Sequence, residues 1–229
     1  MAQKNKKQGA PEVVETLSKN EAFVLKYKNA IIAAVVVVIL AIVGGIYWKE
    51  HKASVQAKAS TEMAKAQEAF AQAMQTNTQD AFQLALNGDS LGHTGFLALA
   101  NASGKAGNLA NLYAGLCYAH LGQMEDAAKY LEKFDQKGDQ MVSPAVLGAL
   151  GNVYASLDHL DKAVSTLKKA AEKADNNALS PQFLIQAGEI LESQGQKSEA
   201  LKLYQQVKDK YFQSAQYQLI DEYIERVSE

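Results

Sequence analysis

AGLCYAHLGQMEDAAKYL at residues 114–131, LGNVYASLDHLDKAVSTL at 150–167 and AGEILESQGQKSEALKLY at 187–204 align with one another without a gap, at offsets of 36 and 37 residues. Each row carries a glycine near its start (Gly115, Gly151, Gly188) and a large residue three positions on (Tyr118, Tyr154, Leu191). An alanine follows twelve after the glycine (Ala127, Ala163, Ala200), and a large apolar residue four after that (Leu131, Leu167, Tyr204). The pattern reads as a helix-turn-helix unit repeated three times. Two antiparallel helices approach closely only where side chains are small, which accounts for the glycines and alanines; the large residues fill the groove between neighbours. Gly122 and Gly195 fall where the turn belongs, with Asp158 in the middle row. Pro144 and Pro181 fall where a helix begins, a position that tolerates a missing N–H.

The flanks of the repeats are also helical in pattern. Residues 211–229 place Tyr217, Ile220, Tyr223, Ile224 and Val227 at helical spacing, as expected of a helix covering the last repeat. Residues 57–74 (AKASTEMAKAQEAFAQAM) are strong helix formers with Met63, Ala66, Phe70 and Met74 on one face. Asn87, Gly88 and Gly92 then break the pattern, and a shorter helical segment is expected from about Phe96. No alternating Val, Ile and Thr run follows, so strands are not needed.

Residues 30–47, AIIAAVVVVILAIVGGIY, contain no charge, and eighteen residues of helix reach about 27 Å, close to the thickness of bilayer hydrocarbon. Phe23 and Tyr27 precede the run and Tyr47 and Trp48 close it, which suits rings at two water interfaces, with Lys26, Lys28 and Lys49 snorkelling. A membrane-spanning helix is expected. A buried core helix is the alternative, but the run is apolar all round, beyond what a small soluble domain covers. The 29 residues before it and the lack of an A-x-A pattern after it argue against a cleaved signal peptide. The first 29 residues hold six lysines against three glutamates, which by the positive-inside rule favours a cytoplasmic tail; Lys49, Lys52, Lys58 and Lys65 partly offset that bias. Ser18 and Glu21 have capping-box spacing, so a helix is expected to start near Ser18, with residues 1–11 disordered.

The expected architecture is all-α: a single transmembrane helix followed by a helical-repeat solenoid and a capping helix. Its parts are a Lys-rich tail at 1–29, an anchor at 30–48, a long helix and irregular part at 49–104, three repeats at 105–213 and the cap at 214–229.

The repeat pattern resembles the tetratricopeptide repeat family. It departs from that family in two ways: Asn111, Leu147 and Leu184 stand where the family has an early Trp, and the 34-residue period is stretched to 36 and 37. The order of tail, span and Ala-rich helix, followed by ALNGD, GFLALA and KAGNLANLYAGLCY leading into the repeats, is similar to the ancillary, YfgM-type subunits of the bacterial SecYEG translocon. That resemblance implies a single-pass inner-membrane protein with a cytoplasmic N-terminus and a periplasmic repeat domain. The implied partners are the translocon and a membrane-anchored chaperone, and the implied role is assistance to secreted proteins. The alternative is a permanent structural or assembly subunit of another inner-membrane complex.

Composition argues against other classes. A formal charge of −2, with Arg226 the only arginine, leaves no basic excess to neutralise phosphates, so nucleic-acid binding is not expected. His51, His93, His120 and His159 lack the spacing that puts two metal ligands on one helix face. Cys117, the single cysteine, sits where a small buried residue is expected, and no phosphate-binding loop occurs. No catalytic residue, metal or cofactor is expected, and Asn101-Ala102-Ser103 matches a glycosylation sequon by pattern alone.

The resemblance places the partner-facing residues on the first helix of each unit: Leu109, Leu112, Leu116 and His120; Ala145, Gly148, Asn152 and Ser156; Gln182, Ile185, Glu189 and Glu192. Capture of a terminal carboxylate needs Lys, Arg and Asn there, and only Asn152 fits. An apolar first unit and acidic third unit instead suit an amphipathic or extended segment carrying some basic residues. A second reading stays open, in which Leu112 and Leu116 pack under residues 84–104.

Overall fold

The computed structural model describes residues 12–102, 104–136 and 138–228. The expected disorder of residues 1–11 and the last position of the Asn101 sequon lie outside them. Among the described residues there are ten α-helices, a 3-10 turn and no strand.

Helix α1 (Glu12–Thr76) is continuous over 65 residues. It begins six residues before Ser18, so the Ser18 capping spacing lies inside a helix rather than at its start. Cap preference is worth about 1 kcal/mol, and nothing in Glu12-Val13-Val14-Glu15-Thr16-Leu17 interrupts helix upstream of it. The chain divides into two compact units, Met1–Val55 and Gln56–Glu229. In the first, apolar side chains such as Val37, Leu40 and Ile42 are exposed all round the helix. Among the described residues this is the helix long and apolar enough to cross a membrane, and none of its apolar window is buried, unlike a core helix.

The second unit contains three antiparallel pairs: α4 (Lys105–His120) with α5 (Met124–Glu132), α6 (Val142–Ser156) with α7 (Leu160–Ala174), and α8 (Ser180–Ser193) with α9 (Lys197–Lys210). Each pair turns in the same way. Gly122, Asp158 and Gly195 take φ of +75°, +60° and +75°, and the next amide bonds back to a carbonyl of the first helix: Gln123 to Tyr118 at 2.9 Å, His159 to Tyr154 at 2.9 Å and Gln196 to Leu191 at 2.8 Å. The close approach is equally regular. A Cβ on Gly115, Gly151 or Gly188 would stand 2.6 Å from Leu131 Cγ, 2.7 Å from Leu167 Cγ or 2.4 Å from Tyr204 Cε1, and Ala127, Ala163 and Ala200 are fully buried.

Pro144 and Pro181 lie in the first turns of α6 and α8. Asp139 caps α6: its Oδ1 accepts from the amides of Met141 (3.0 Å), Val142 (2.6 Å) and Ser143 (3.0 Å), and the Ser143 hydroxyl donates to Oδ2 at 2.6 Å. Those donors hold its carboxyl down at about 2. Asn176, 37 residues on, closes the turn leading into α8, its Oδ1 accepting from the amides of Ala178 and Leu179 at 3.0 and 2.9 Å.

The last part of α1, with α2 (Gln79–Asn87) and α3 (Phe96–Leu99), packs on α4 in a shared apolar cluster containing Met63, Phe82, Phe96, Ala110 and Cys117. At the other end, a 3-10 turn (Ala215–Leu219) leads to α10 (Ile220–Ser228), whose Ile220 and Val227 join the cluster of α8 and α9.

Candidate protein-binding surface

Helix α4 carries two apolar faces. Ala110, Tyr113 and Cys117 look onto the cluster that includes residues 82–99, whereas Leu112 packs on the cluster of α5 and α6, and Leu109 reaches both. Leu112 and Leu116 therefore do not lie under residues 84–104. Half-buried Leu116, with Ala119, Met124 and Leu131, faces Ala149, Asn152, Val153 and Ser156 across a depression of about 190 Å³. Leu116, Asn152 and Ser156 are thus brought together. Asn152 and Ser156 are exposed, and the Ser156 hydroxyl donates to the Asn152 carbonyl at 3.1 Å. Apolar walls with one open carboxamide can hold an aliphatic side chain and bond a neighbouring peptide group.

Other expected residues have different surroundings. The His120 ring lies flat on Phe82, centroids 4.3 Å apart and planes 7° apart, so it packs against α2. Ala145 is exposed, and Gly148 is buried where a Cβ would meet Phe183 Cε1 at 2.2 Å. Gln182 and Glu189 are exposed, and Ile185 is buried in the α8–α9 core.

Glu192 is not open. Arg226 Nε donates to its Oε2 and a terminal guanidinium nitrogen to its Oε1, both at 2.8 Å, and the Tyr204 hydroxyl donates to the same Oε1. Arg226 first, then Tyr204, holds the Glu192 carboxyl below the ordinary value of 4.5. Ser193, rather than Glu192, is the 37-residue counterpart of Ser156. Glu192 corresponds instead to Ala119 and Ala155.

A larger cavity, of about 640 Å³, lies at the start of α4 and is lined by Leu109, Phe134 and Val142 among others. Asn108 on its wall bridges to the Asp135 backbone, donating to its carbonyl at 2.9 Å and accepting from its amide at 2.6 Å. Helical periodicity alone does not place this cavity, because the first turns of α4 form one part of its wall and the connections around Ala102 and Phe134 form the rest.

Burial pushes the Cys117 thiol up to about 12, which leaves it protonated at neutral pH. No group of three metal-ligating side chains occurs among the described residues. His93 and Asp89 form an exposed pair at 2.7 Å in a turn where Asp89 also accepts from the Leu91 and His93 amides.

Stacked antiparallel pairs, packed through small residues and turned on a left-handed residue, define a helical-repeat scaffold of the class that works through protein–protein contact. The chain belongs to the tetratricopeptide repeat-like domain family, which it matches over residues 21–228. The match takes in the apolar segment as well as the repeats. Comparison with curated proteins gives no match.

Proposed function

We propose that the chain is a membrane-anchored protein-binding scaffold of the bacterial inner membrane that assists the Sec translocon or an envelope chaperone with secreted proteins. The observation that carries this reading is the open apolar depression between α4 and α6, where Leu116 meets Asn152 and Ser156. Residues 30–48 are the anchor, the six lysines of residues 1–29 keep the tail cytoplasmic, and residues 49–229 work in the periplasm. The long helix and irregular part at 49–104 and the cap at 214–229 bracket the binding repeats at 105–213. Leu116, Asn152, Ser156, Gln182 and Glu189 face the partner, with the depression receiving its apolar side chain and Leu109 and Leu112 packed behind it. The translocon assignment is supported by the resemblance in the order of segments.

The test is co-purification from mild-detergent membranes, with the full chain as bait, compared with Leu116→Ser and Asn152→Ala variants. Translocon or chaperone components should be captured and should be lost from both variants while their melting temperatures stay near wild type. Capture unchanged in both would reject this surface. Capture that survives high salt and detergent washing would favour a permanent subunit over an exchanging scaffold.

A further inference from the structure

Helix α10 stands where a further first helix would stack. Ala119, the counterpart of Glu192 in the first pair, faces α6; Glu192 faces α10 and is met there by Arg226. Lys208 of α9 also pairs with Asp221 at 2.7 Å on the exposed side, and between the two ion pairs the seat is apolar: Ile220 and Val227 are buried and Tyr223 and Ile224 half-buried against a cluster containing Tyr204 and Val207. Residues at 220, 223, 224 and 227 give the spacing of a helix laid in a groove. The guanidinium of Arg226 also lies over the Tyr223 ring, 4.8 Å from its centroid, so the helix arrives with its cation already positioned.

The connection to this helix is poorly satisfied. None of the 3-10 residues Ala215–Leu219 is buried, and Phe212 and Leu219 are 60% and 53% exposed. The Ser214 hydroxyl is buried without a hydrogen-bond partner among the described residues. Two large apolar side chains left in water beside an unbonded buried hydroxyl mark a segment whose contacts are incomplete within one chain.

We propose that α10 is exchanged between two copies of this chain. The helix of one copy occupies the α8–α9 seat of the other, with Arg226 of one closing on Glu192 of the other, and the two connections bury Phe212 and Leu219 against each other. The occupant is a second copy because the helix that complements this seat in both shape and charge is α10 itself, and exchange of an identical element needs no new interface chemistry.

Charge exchange tests it. Full-length Glu192→Arg and Arg226→Glu chains, differently tagged and purified separately in detergent, each carry like charges at the clasp within one chain; between the two, every clasp pairs opposite charges. Their mixture should co-purify through either tag several-fold more than mixtures of one variant with itself, and should melt above either variant alone. Co-purification no greater than in the same-variant mixtures, with helix content intact by circular dichroism, would overturn the proposal. Association through the apolar segment is common to all the mixtures and cancels. A second arm leaves the clasp untouched: exchange between differently tagged wild-type chains should fall several-fold on combining Phe212→Ser with Leu219→Ser. Absent or unchanged exchange there also overturns it. Neither arm involves capture of another protein, so failure here is separate from failure of the scaffold reading.

Discussion

The N-terminal end of the repeat array is closed by rings and the C-terminal end by a charged clasp. At the first end, Phe70 of α1 meets Phe82, Phe96 and Tyr113 at centroid distances of 6.0, 6.2 and 5.2 Å, and Phe96 stacks on Tyr113 at 5.0 Å. At the second, a nine-residue helix buries two of its side chains, Ile220 and Val227, and is fixed by Arg226 on Glu192. Packing among the Phe and Tyr rings draws on buried apolar area and involves no ion pair. A half-exposed ion pair contributes little energy and mainly fixes which way the short helix sits. The same task, covering the open face of a terminal repeat, is therefore done by bulk at one end and by registry at the other.

The difference should show most strongly in Phe96→Ala, which empties a fully buried position under α4 and should destabilise by about 3–5 kcal/mol in denaturant unfolding. Next comes the interior of the array, common to both ends. Ala163→Leu overpacks the fully buried contact between α6 and α7 and should destabilise by about 1–3 kcal/mol, whereas exposed Lys168→Ala should change stability by less than about 0.5 kcal/mol. Equal melting temperatures for that pair would remove the assigned register.

Arg226→Gln should have a smaller effect, about 0.5–1 kcal/mol at neutral pH, and one that depends on pH. Glu192 has a lowered folded-state value, so its stabilisation is complete above about 4.5 and fades as pH falls through that lowered value. Arg226, Tyr204 and Lys197 are the groups acting on it. The stability gap between wild type and Arg226→Gln should therefore narrow on acidification below about 4.5, while the gap for Phe96→Ala stays constant. A pH-dependent Phe96 gap, or a pH-independent Arg226 gap, would undo the contrast between the two ends.

Features that recur along the chain were legible in the sequence. Gly115, Gly151 and Gly188 mark the close approach, Gly122, Asp158 and Gly195 the left-handed turn, and Pro144 and Pro181 the helix starts, because each is a local backbone demand that only certain residues meet. What a residue faces across the fold was less legible. His120 has helical spacing with Leu116, but its partner Phe82 is 38 residues away and set by the placement of α2. Glu192 precedes Ser193, the counterpart of Ser156, by one residue, a rotation of about 100° that turns it from the groove to α10. The start of α1 was misplaced because a good cap spacing at Ser18 does not by itself end a favourable helix upstream.

The binding claim is tested most directly by placing a photo-crosslinking amino acid at Leu116, in the depression, or at Lys168, exposed on α7, and irradiating intact membranes. Adducts with translocon or chaperone components should form from position 116 and be absent from position 168. Adducts of equal yield from both positions, or none from position 116 in a chain that remains folded and membrane-bound, would contradict a partner-binding depression between α4 and α6.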